Sequence, residues 1–454
     1  MISSINPANN RIIASYEEMS PSQIASILQE SHKEFLNWKN VSLSDRAVKM
    51  LKAASVLRQK KNEFAAIITL EMGKPLVQAK AEVEKCALVC KYFAENAERF
   101  LADIPVKTDY SKSYVTFNPL GVIFAIMPWN FPFWQVFRFA APTLMAGNAA
   151  VLKHSSNVTG CALAIEQVFA EAGFPKSLFR TLIVSSKKVG NIISNDFIKA
   201  VSLTGSVPAG KAVAAAAGKA LKKSVLELGG SDPYIILNDA DLEKTVENCV
   251  TARLLNGGQS CIAAKRFIIE EEIYEQFENL FVEMMSAQKM GDPFNENNKI
   301  GPQARVDLRD ELHEQVVKSI EKGAKLLLGG EIPAGAGAYY PPTVLSNVKP
   351  GMPAYDEELF GPVAALIRVK DVEEAVKIAN DSPFGLGGAV FTADVKKGED
   401  IARNKIFTGT CCVNDFVKSD PRLPFGGINE SGYGRELSEF GIKEFVNIKT
   451  VVVK

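Results

Sequence analysis

The sequence has no surplus of charge of either sign. Its 454 residues carry 52 Lys+Arg and 52 Asp+Glu, so the formal net charge is zero. Such a chain has no global field to steer it onto nucleic acid or an acidic membrane. Histidine is scarce. His32, His154 and His313 stand apart, and there is no CxxC, so no metal site is expected. The dinucleotide fingerprint GxGxxG is missing too, because Gly335-x-Gly337 and Gly385-x-Gly387 both lack a third glycine. Long apolar runs are also absent. Residues 121–152 come closest, but Pro128, Asn130, Pro132, Gln135, Arg138, Pro142 and Asn148 interrupt them, so no membrane span is expected. The first twenty residues lack a basic stretch followed by an apolar one, so no signal peptide is expected. Seven scattered cysteines, an odd number, leave at least one thiol unpaired. A reducing, cytoplasmic setting is expected.

What is present fits a globular protein. Hydrophobic residues make up 47% and charged residues 23%, which excludes disorder, and the length suggests two to three domains. Residues 20–100 read mostly as helix. Strands are expected at 110–118 and 122–126. Short apolar strands then alternate with helices: 149–153, 182–184, 200–204 and 224–228, with helices at 161–172 and 209–219 between them. The pattern restarts after Gly229-Gly230, with strands at 234–237, 266–269, 364–369 and 388–391 and helices at 242–255 and 271–290. Such alternation predicts α/β architecture: doubly wound parallel sheets with helices on both faces. The terminal strand 449–454 is apolar and needs a partner.

Four features carry chemistry. The turn Gly205–Lys211 follows a strand and precedes a helix, but Ala212 stands where a P-loop needs Ser or Thr. It reads as a plain strand-to-helix turn or as a dinucleotide phosphate site at a helix N-terminus. Cys261 ends the small, polar stretch 257–261, where a thiolate is reachable, whereas Cys86, Cys90, Cys161 and Cys249 lie within helical patterns as apolar filler. Glu227, between two leucines and before two glycines, is either a solvated edge residue or a buried carboxylate with a task. Asn130, within 127–132, is either part of a rigid core turn or a held amide donor for an oxyanion.

A set of motifs in one order joins these features. PWNFP at 128–132, Lys153 after a strand, TGS at 204–206, LELGG at 226–230, GQSC at 258–261, EELFGP at 357–362 and PFGG…SGYGRE at 424–436 together resemble the aldehyde dehydrogenase superfamily over nearly the whole chain. Residues 152–157 and 417–427 resemble its short bacterial succinate-semialdehyde dehydrogenases. The resemblance implies NAD(P)-dependent oxidation of an aldehyde. Cys261 would attack the aldehyde, Asn130 and the Cys261 N–H would hold the oxyanion, and Glu227 would activate water against the thioester. Trp129, Lys153, Ser156, Thr204, Gly205, Ser206, Leu228, Glu358 and Phe360 would bind the cofactor. The resemblance also implies a cofactor-binding domain, 1–227, interrupted by 102–118; a catalytic domain, 228–436; and a small β arm, 102–118 with 437–454, that joins subunits into a homodimer or homotetramer.

Two departures from the family pattern matter. Many members carry Glu where this chain has Ser156, so NADP is expected to serve at least as well as NAD. Many also carry a second cysteine beside the nucleophile, whereas Ser260 and Ile262 flank Cys261 here. The aldehyde is expected to be succinate semialdehyde, with glutarate semialdehyde or an uncharged aliphatic aldehyde as alternatives, and a non-catalytic protein on this scaffold as the rival class. Arg138 lies in the apolar run 133–140, eight residues after Asn130. On one helix the two would share a face, and the guanidinium would meet a substrate carboxylate. The competing reading is an internal ion pair. The resemblance adds Ser419, Phe131 and Trp134 to the substrate site.

Overall fold

A computed structural model describes all residues from Met1 to Lys454. Four helices fill the first hundred residues: Pro21–Trp38, Leu43–Gln59, Lys61–Met72 and Leu76–Phe100. Ser20 starts the first with a reciprocal capping box to Gln23. Two sheets dominate the rest of the chain.

The first sheet runs, in spatial order, Gly432–Tyr433, Lys223–Glu227, Ile198–Thr204, Val122–Met127, Ala149–His154 and Phe179–Thr181. All neighbours are parallel except Gly432–Tyr433, which pairs antiparallel with Leu226–Glu227. This short strand returns the start of the SGYGRE motif to the first sheet. The strands are near-continuous apolar runs because helices cover both faces. A core of 73 buried residues surrounds this sheet and the N-terminal helices.

From Val122–Met127 the chain winds outward through Ala149–His154 and Phe179–Thr181. It then returns to the other side for Ile198–Thr204 and Lys223–Glu227. The order therefore reverses between Val122–Met127 and Ile198–Thr204. A reversal of this kind opens a crevice at the carboxyl ends of the strands, where α/β proteins bind ligands.

Gly229 and Gly230 carry the chain directly into the second sheet. Its order is Lys325–Leu328, Thr343–Ser346, Val363–Val369, Ala264–Glu270, Asp232–Ile236, Gly387–Phe391 and Thr410–Val413, parallel except at the first strand. Separate apolar cores of 22 and 21 residues include alternate residues of these strands, such as Ile235 and Ile268 in one and Tyr234 and Phe267 in the other. A three-stranded sheet pairs Val446–Val453 along the whole of Lys112–Pro119, with Ile104–Pro105 beyond it. The apolar C-terminus thus has its partner within the chain.

Some expected elements differ. The strand expected at 182–184 lies at Phe179–Thr181 instead, matched to Ala150–Leu152. Beyond it the Leu182 N–H still donates to Leu152, but the Ile183 carbonyl accepts from Met19, which ends the ladder. The helix from 271 stops at Ser286 rather than 290, because Met290 bridges to Ile300. A hairpin of Ile2–Asn6 and Arg11–Tyr16 was not foreseen. No helix is long and apolar enough to cross a membrane.

Candidate active site

The crevice at the reversal is walled on one side by residues 128–131, which leave the strand Val122–Met127. His154, at the end of the adjacent strand, holds this segment. Its Nε2 lies 2.9 Å from Pro132 O, and its Nδ1 lies 3.1 Å from Met127 O and 2.9 Å from Ser155 N. Burial pushes this imidazole down to about 4, which favours its neutral form. Glu82 fixes the next turn. Its Oε1 accepts from Phe133 N and Trp134 N at 2.9 and 3.0 Å, capping the helix Trp134–Met145. Asn130 precedes this helix, so it does not share a helical face with Arg138.

The opposite wall is the loop before the strand Ala264–Glu270. Asn256, Gly257 and Gly258 all have positive φ (57°, 60° and 75°). Only glycine fits at Gly258, where a Cβ would lie 2.1 Å from the Gly361 carbonyl. Asn256 Nδ2 ties the two walls together, donating to Asn130 O at 2.7 Å and Gln259 O at 3.0 Å. Asn130 Nδ2 donates to Gln259 O at 3.1 Å. This leaves one of its two N–H bonds for a ligand. Lys265, 1% exposed, donates to the carbonyls of Ser260, Cys261 and Ala263 at 3.1, 2.9 and 3.2 Å. Its ammonium also pairs with Glu358 at 3.4 Å.

Between these walls lies a cavity of about 240 Å³ lined by Pro128, Trp129, Asn130, Thr204, Gly205, Ser206, Leu228, Gly229, Cys261, Leu308, Glu358 and Phe360. Phe360 meets Trp129 edge-on, with ring centroids 5.7 Å apart. Burial pushes the Cys261 thiol up to about 12, although Arg138 and Lys265 pull the other way. Burial also holds the Glu227 carboxyl well above its ordinary range, against the pull of Arg138. Glu227 is 2% exposed, and neither of its oxygens has a hydrogen-bond partner. Exclusion of water thus disfavours the charged forms of both the thiol and the carboxyl.

A half-buried cysteine that shares a cavity with a free amide N–H, and whose thiol feels the charge of an orphaned carboxyl, suits acyl chemistry. The model of the "Aldehyde dehydrogenase family" matches residues 1–451. The chain belongs to that family. It is 48% identical over 450 residues to a probable NADP(+) succinate-semialdehyde dehydrogenase of Synechocystis sp., covering 99% of each chain. It is 49% identical over 448 residues to an NAD(P)+ succinate semialdehyde dehydrogenase of Escherichia coli, covering 99% of this chain and 97% of that one. The succinic semialdehyde dehydrogenase of Streptococcus pyogenes, solved with NADP+, superposes over 100% of both chains with TM-score 0.98 and 36% identity. The expected α/β fold of doubly wound parallel sheets is thereby borne out.

In this aldehyde dehydrogenase, Cys261, Asn130, Trp129, Thr204, Gly205, Ser206, Leu228, Glu358 and Phe360 meet in the one cavity. Glu227 lies behind it, at the end of its strand. Lys153 is partly buried, with its ammonium pushed down by desolvation, while the exposed Ser156 lines a separate cavity of about 490 Å³ with Asn157 and Arg305. Of the two readings the sequence left for Arg138, the structure shows the internal pair. Its guanidinium is 2% exposed, ion-paired with Glu436 and 4.7 Å from the Phe425 ring centroid, and it donates to Thr204 Oγ1 at 3.3 Å. The internal ion pair is what forms. Phe131 lies beneath Lys74, 3.7 Å from its ring centroid, and Lys74 in turn pairs with Glu82. Ser419 and Trp134 are gathered around Lys85, at 2.7 Å from Ser419 Oγ and 4.1 Å from the Trp134 ring centroid.

Sequence reasoning missed Asn256, Lys265, Glu436 and Lys85. Glu436 and Asn256 sit in or beside the family motifs. Lys85 and Lys265 had no such signal: Lys265 stands beside Arg266, and Lys85 follows Glu82 and Glu84 in an ordinary helical pattern.

Proposed function

We propose that the chain oxidises succinate semialdehyde to succinate with NADP, and also with NAD, through a thioester on Cys261. The observation that carries this reading is the single cavity holding Cys261, Asn130, Glu358 and Phe360. The choice of substrate rests on the names of the Synechocystis, Escherichia coli and Streptococcus pyogenes relatives.

The residues present fit the cofactor. Thr204, Gly205 and Ser206 lead into the helix Val207–Lys219, whose N-terminus offers N–H groups to a pyrophosphate. Gly229 leaves the space beside Glu358 open, since a Cβ there would lie 2.3 Å from Glu358 Oε2. Glu358 and Phe360 would hold the ribose and ring; Trp129 and Leu228 would complete that wall; Lys153 and Ser156 would face the adenosine end. The bound nicotinamide supplies the hydride acceptor.

Cys261 gives its thiol proton to solvent water, and the thiolate Sγ bonds the carbonyl carbon as the carbonyl π bond opens to an oxyanion. Asn130 Nδ2 and the Cys261 N–H stabilise the resulting oxyanion, which a dry cavity makes more effective. Loss of hydride leaves a thioester. Glu227, once ionised, takes a proton from water, and the hydroxyl cleaves the thioester to carboxylate and thiol.

We assign cofactor binding to 1–227 outside 102–118, catalysis to 228–436, and subunit pairing to 102–118 with 437–454, in a homodimer or homotetramer. Ile104, Ile448 and Val452 support this, lying exposed on the three-stranded sheet. The seven free cysteines suit a reducing compartment, and we assign the protein to the cytoplasm.

The test follows reduced nicotinamide by absorbance across an aldehyde panel. Succinate semialdehyde should be preferred over butanal. Cys261→Ala should fall below a hundredth of wild type, a loss of at least ~2.7 kcal/mol of transition-state stabilisation, while still binding cofactor. Residual turnover above that level would falsify the nucleophile assignment.

A further inference from the structure

We propose that the buried pair Lys74–Glu82 positions the oxyanion donor, gripping the chain just after Asn130 and so aiming its amide. This inference rests on the role of Asn130 given under Proposed function.

Residues 128–133 lie outside every helix and strand, so groups from elsewhere must fix their shape. Asn256 Nδ2 holds Asn130 O at 2.7 Å, and His154 Nε2 lies 2.9 Å from Pro132 O. The Lys74–Glu82 pair holds the same segment at two further points. Glu82 Oε1 accepts from the N–H groups of Phe133 and Trp134 at 2.9 and 3.0 Å. Its other oxygen bonds Lys74 Nζ, which lies 3.7 Å from the ring centroid of Phe131, the residue next to Asn130. One ion pair therefore fixes both the backbone that follows the donor and the side chain beside it.

Stability alone is a poor reason for this pair. Lys74 and Glu82 are 1% and 4% exposed. Two charges so deeply buried lose more hydration than their attraction reliably returns, and apolar residues of similar size often serve as well. A nearby Ser, Asn or Asp could cap the helix Trp134–Met145 without a buried cation. Burial pushes the Lys74 ammonium down, and Glu82 is the chief group opposing that, ahead of Cys161 and Cys86. Neither charge would persist there without the other. What the pair adds is direction: two charge-assisted bonds to backbone N–H groups and a cation over one ring.

Rigid elements supply both partners. Gly73, with φ 79°, ends the helix Lys61–Met72 and turns Lys74 inward; a Cβ there would lie 2.7 Å from Pro302 Cγ. Glu82 sits in the second turn of the helix Leu76–Phe100, on its buried face with Ala79, Val83 and Cys86. An oxyanion donor works through preorganisation, so such support acts on the transition state through Asn130. Lys74 and Glu82 are positioning residues in this scheme.

The experiment measures single-turnover formation of reduced NADP, with enzyme in excess over succinate semialdehyde, together with Kd for NADP and the urea midpoint. It compares wild type, Lys74→Met, Asn130→Ala and the double variant Lys74→Met with Asn130→Ala. Asn130→Ala should slow the turnover by roughly 10²–10³, the scale for a lost oxyanion donor. Lys74→Met should slow it about tenfold or more, as a small misplacement does, and leave Kd for NADP within about twofold. On the Asn130→Ala background Lys74→Met should slow it no further, because the donor it aims is gone. The fall in urea midpoint caused by Lys74→Met should be the same in both backgrounds. Lys74→Met strands the Glu82 charge, so Lys74→Met with Glu82→Gln repeats the comparison with no lone charge. Its amide oxygen still accepts both N–H groups, so the loss should be smaller, about threefold, and again absent without Asn130. An undiminished rate in both Lys74→Met and the pair variant overturns the positioning role alone. So does a loss of equal size with and without Asn130. An Asn130→Ala enzyme within about tenfold of wild type overturns the oxyanion reading and the positioning role together.

Discussion

Lys265 Nζ donates to the carbonyl oxygen of Cys261 at 2.9 Å and lies 3.4 Å from the Glu358 carboxylate. One ammonium therefore sets both the nucleophile loop and the residue proposed to hold the cofactor ribose. Lys265→Met keeps the length of the side chain but removes all three donors. It strands a largely buried carboxylate and frees three carbonyls. The loss should be about 3 kcal/mol of stability, the low end for breaking a buried pair. It should also raise KM for the cofactor more than for the aldehyde. Urea denaturation and a cofactor titration check the two effects. Unchanged cofactor KM would limit Lys265 to the loop.

Glu227 gives a prediction with two signs. As the base for water, Glu227→Gln should keep a first burst of reduced cofactor but cut steady turnover by roughly 10²–10⁴. Stability should move the other way. The carboxyl is held well above its ordinary value of 4.5 in the fold, chiefly by burial. The folded state thus binds this proton more tightly than the unfolded state. Above pH 4.5 the unfolded chain gains by ionising, and the fold loses stability as pH rises toward the folded value. The amide of the variant has no proton to lose in this range. The variant should match wild type near pH 4 and become relatively more stable by pH 8. Denaturation midpoints across that range decide it; a gap that shrinks with pH would mean Glu227 is ionised in the fold.

Much of this site was legible because its residues fall at the ends of apolar strands. Glu227 and Thr204 each close a strand, and residues 128–130 directly follow one, so their common edge followed from the alternation alone. The reversal between Val122–Met127 and Ile198–Thr204 then put them at one crevice. Pairings across long sequence gaps were not legible. Nothing local tells that Arg138 meets Glu436 rather than solvent, or that Lys85 meets Ser419, 334 residues away. The helix start at Trp134 was hidden too, because its cap is Glu82 from another helix rather than a neighbouring Ser or Asp. That distant cap removed Asn130 from the helix and with it the shared face.

Cofactor choice turns on Ser156. A glutamate there would repel a 2′-phosphate and accept hydrogen bonds from a free ribose, whereas Ser156 can donate and Lys153 has no carboxylate to neutralise it. The cavity beside Ser156, about 490 Å³, has room for the added phosphate. Wild type should use NADP at least as well as NAD, and Ser156→Glu should reverse the preference. Steady-state kcat/KM with each cofactor measures this. A tenfold wild-type advantage for NAD would remove the support this pocket gives to NADP.

Arg138 now predicts the opposite of what a substrate anchor would. Its guanidinium is committed to Glu436, to Thr204 Oγ1 and to the face of Phe425, and its charge eases the penalty on ionising both Glu227 and Cys261. Arg138→Ala would leave Glu436 buried and unpaired, a loss of about 3–5 kcal/mol where no water can enter. It would also make the thiol and the Glu227 carboxyl harder to ionise, slowing the attack on any aldehyde. The expected outcome is an equal fall in kcat/KM on succinate semialdehyde and butanal, with the pH–rate profile displaced upward. Arg138→Lys should restore part of both, because a cation returns to the pair. The double variant Arg138→Met with Glu436→Gln should be more stable than Arg138→Ala, since it leaves no lone charge behind. A loss confined to the semialdehyde would instead mean that Arg138 leaves Glu436 when substrate arrives, and would return it to the substrate site.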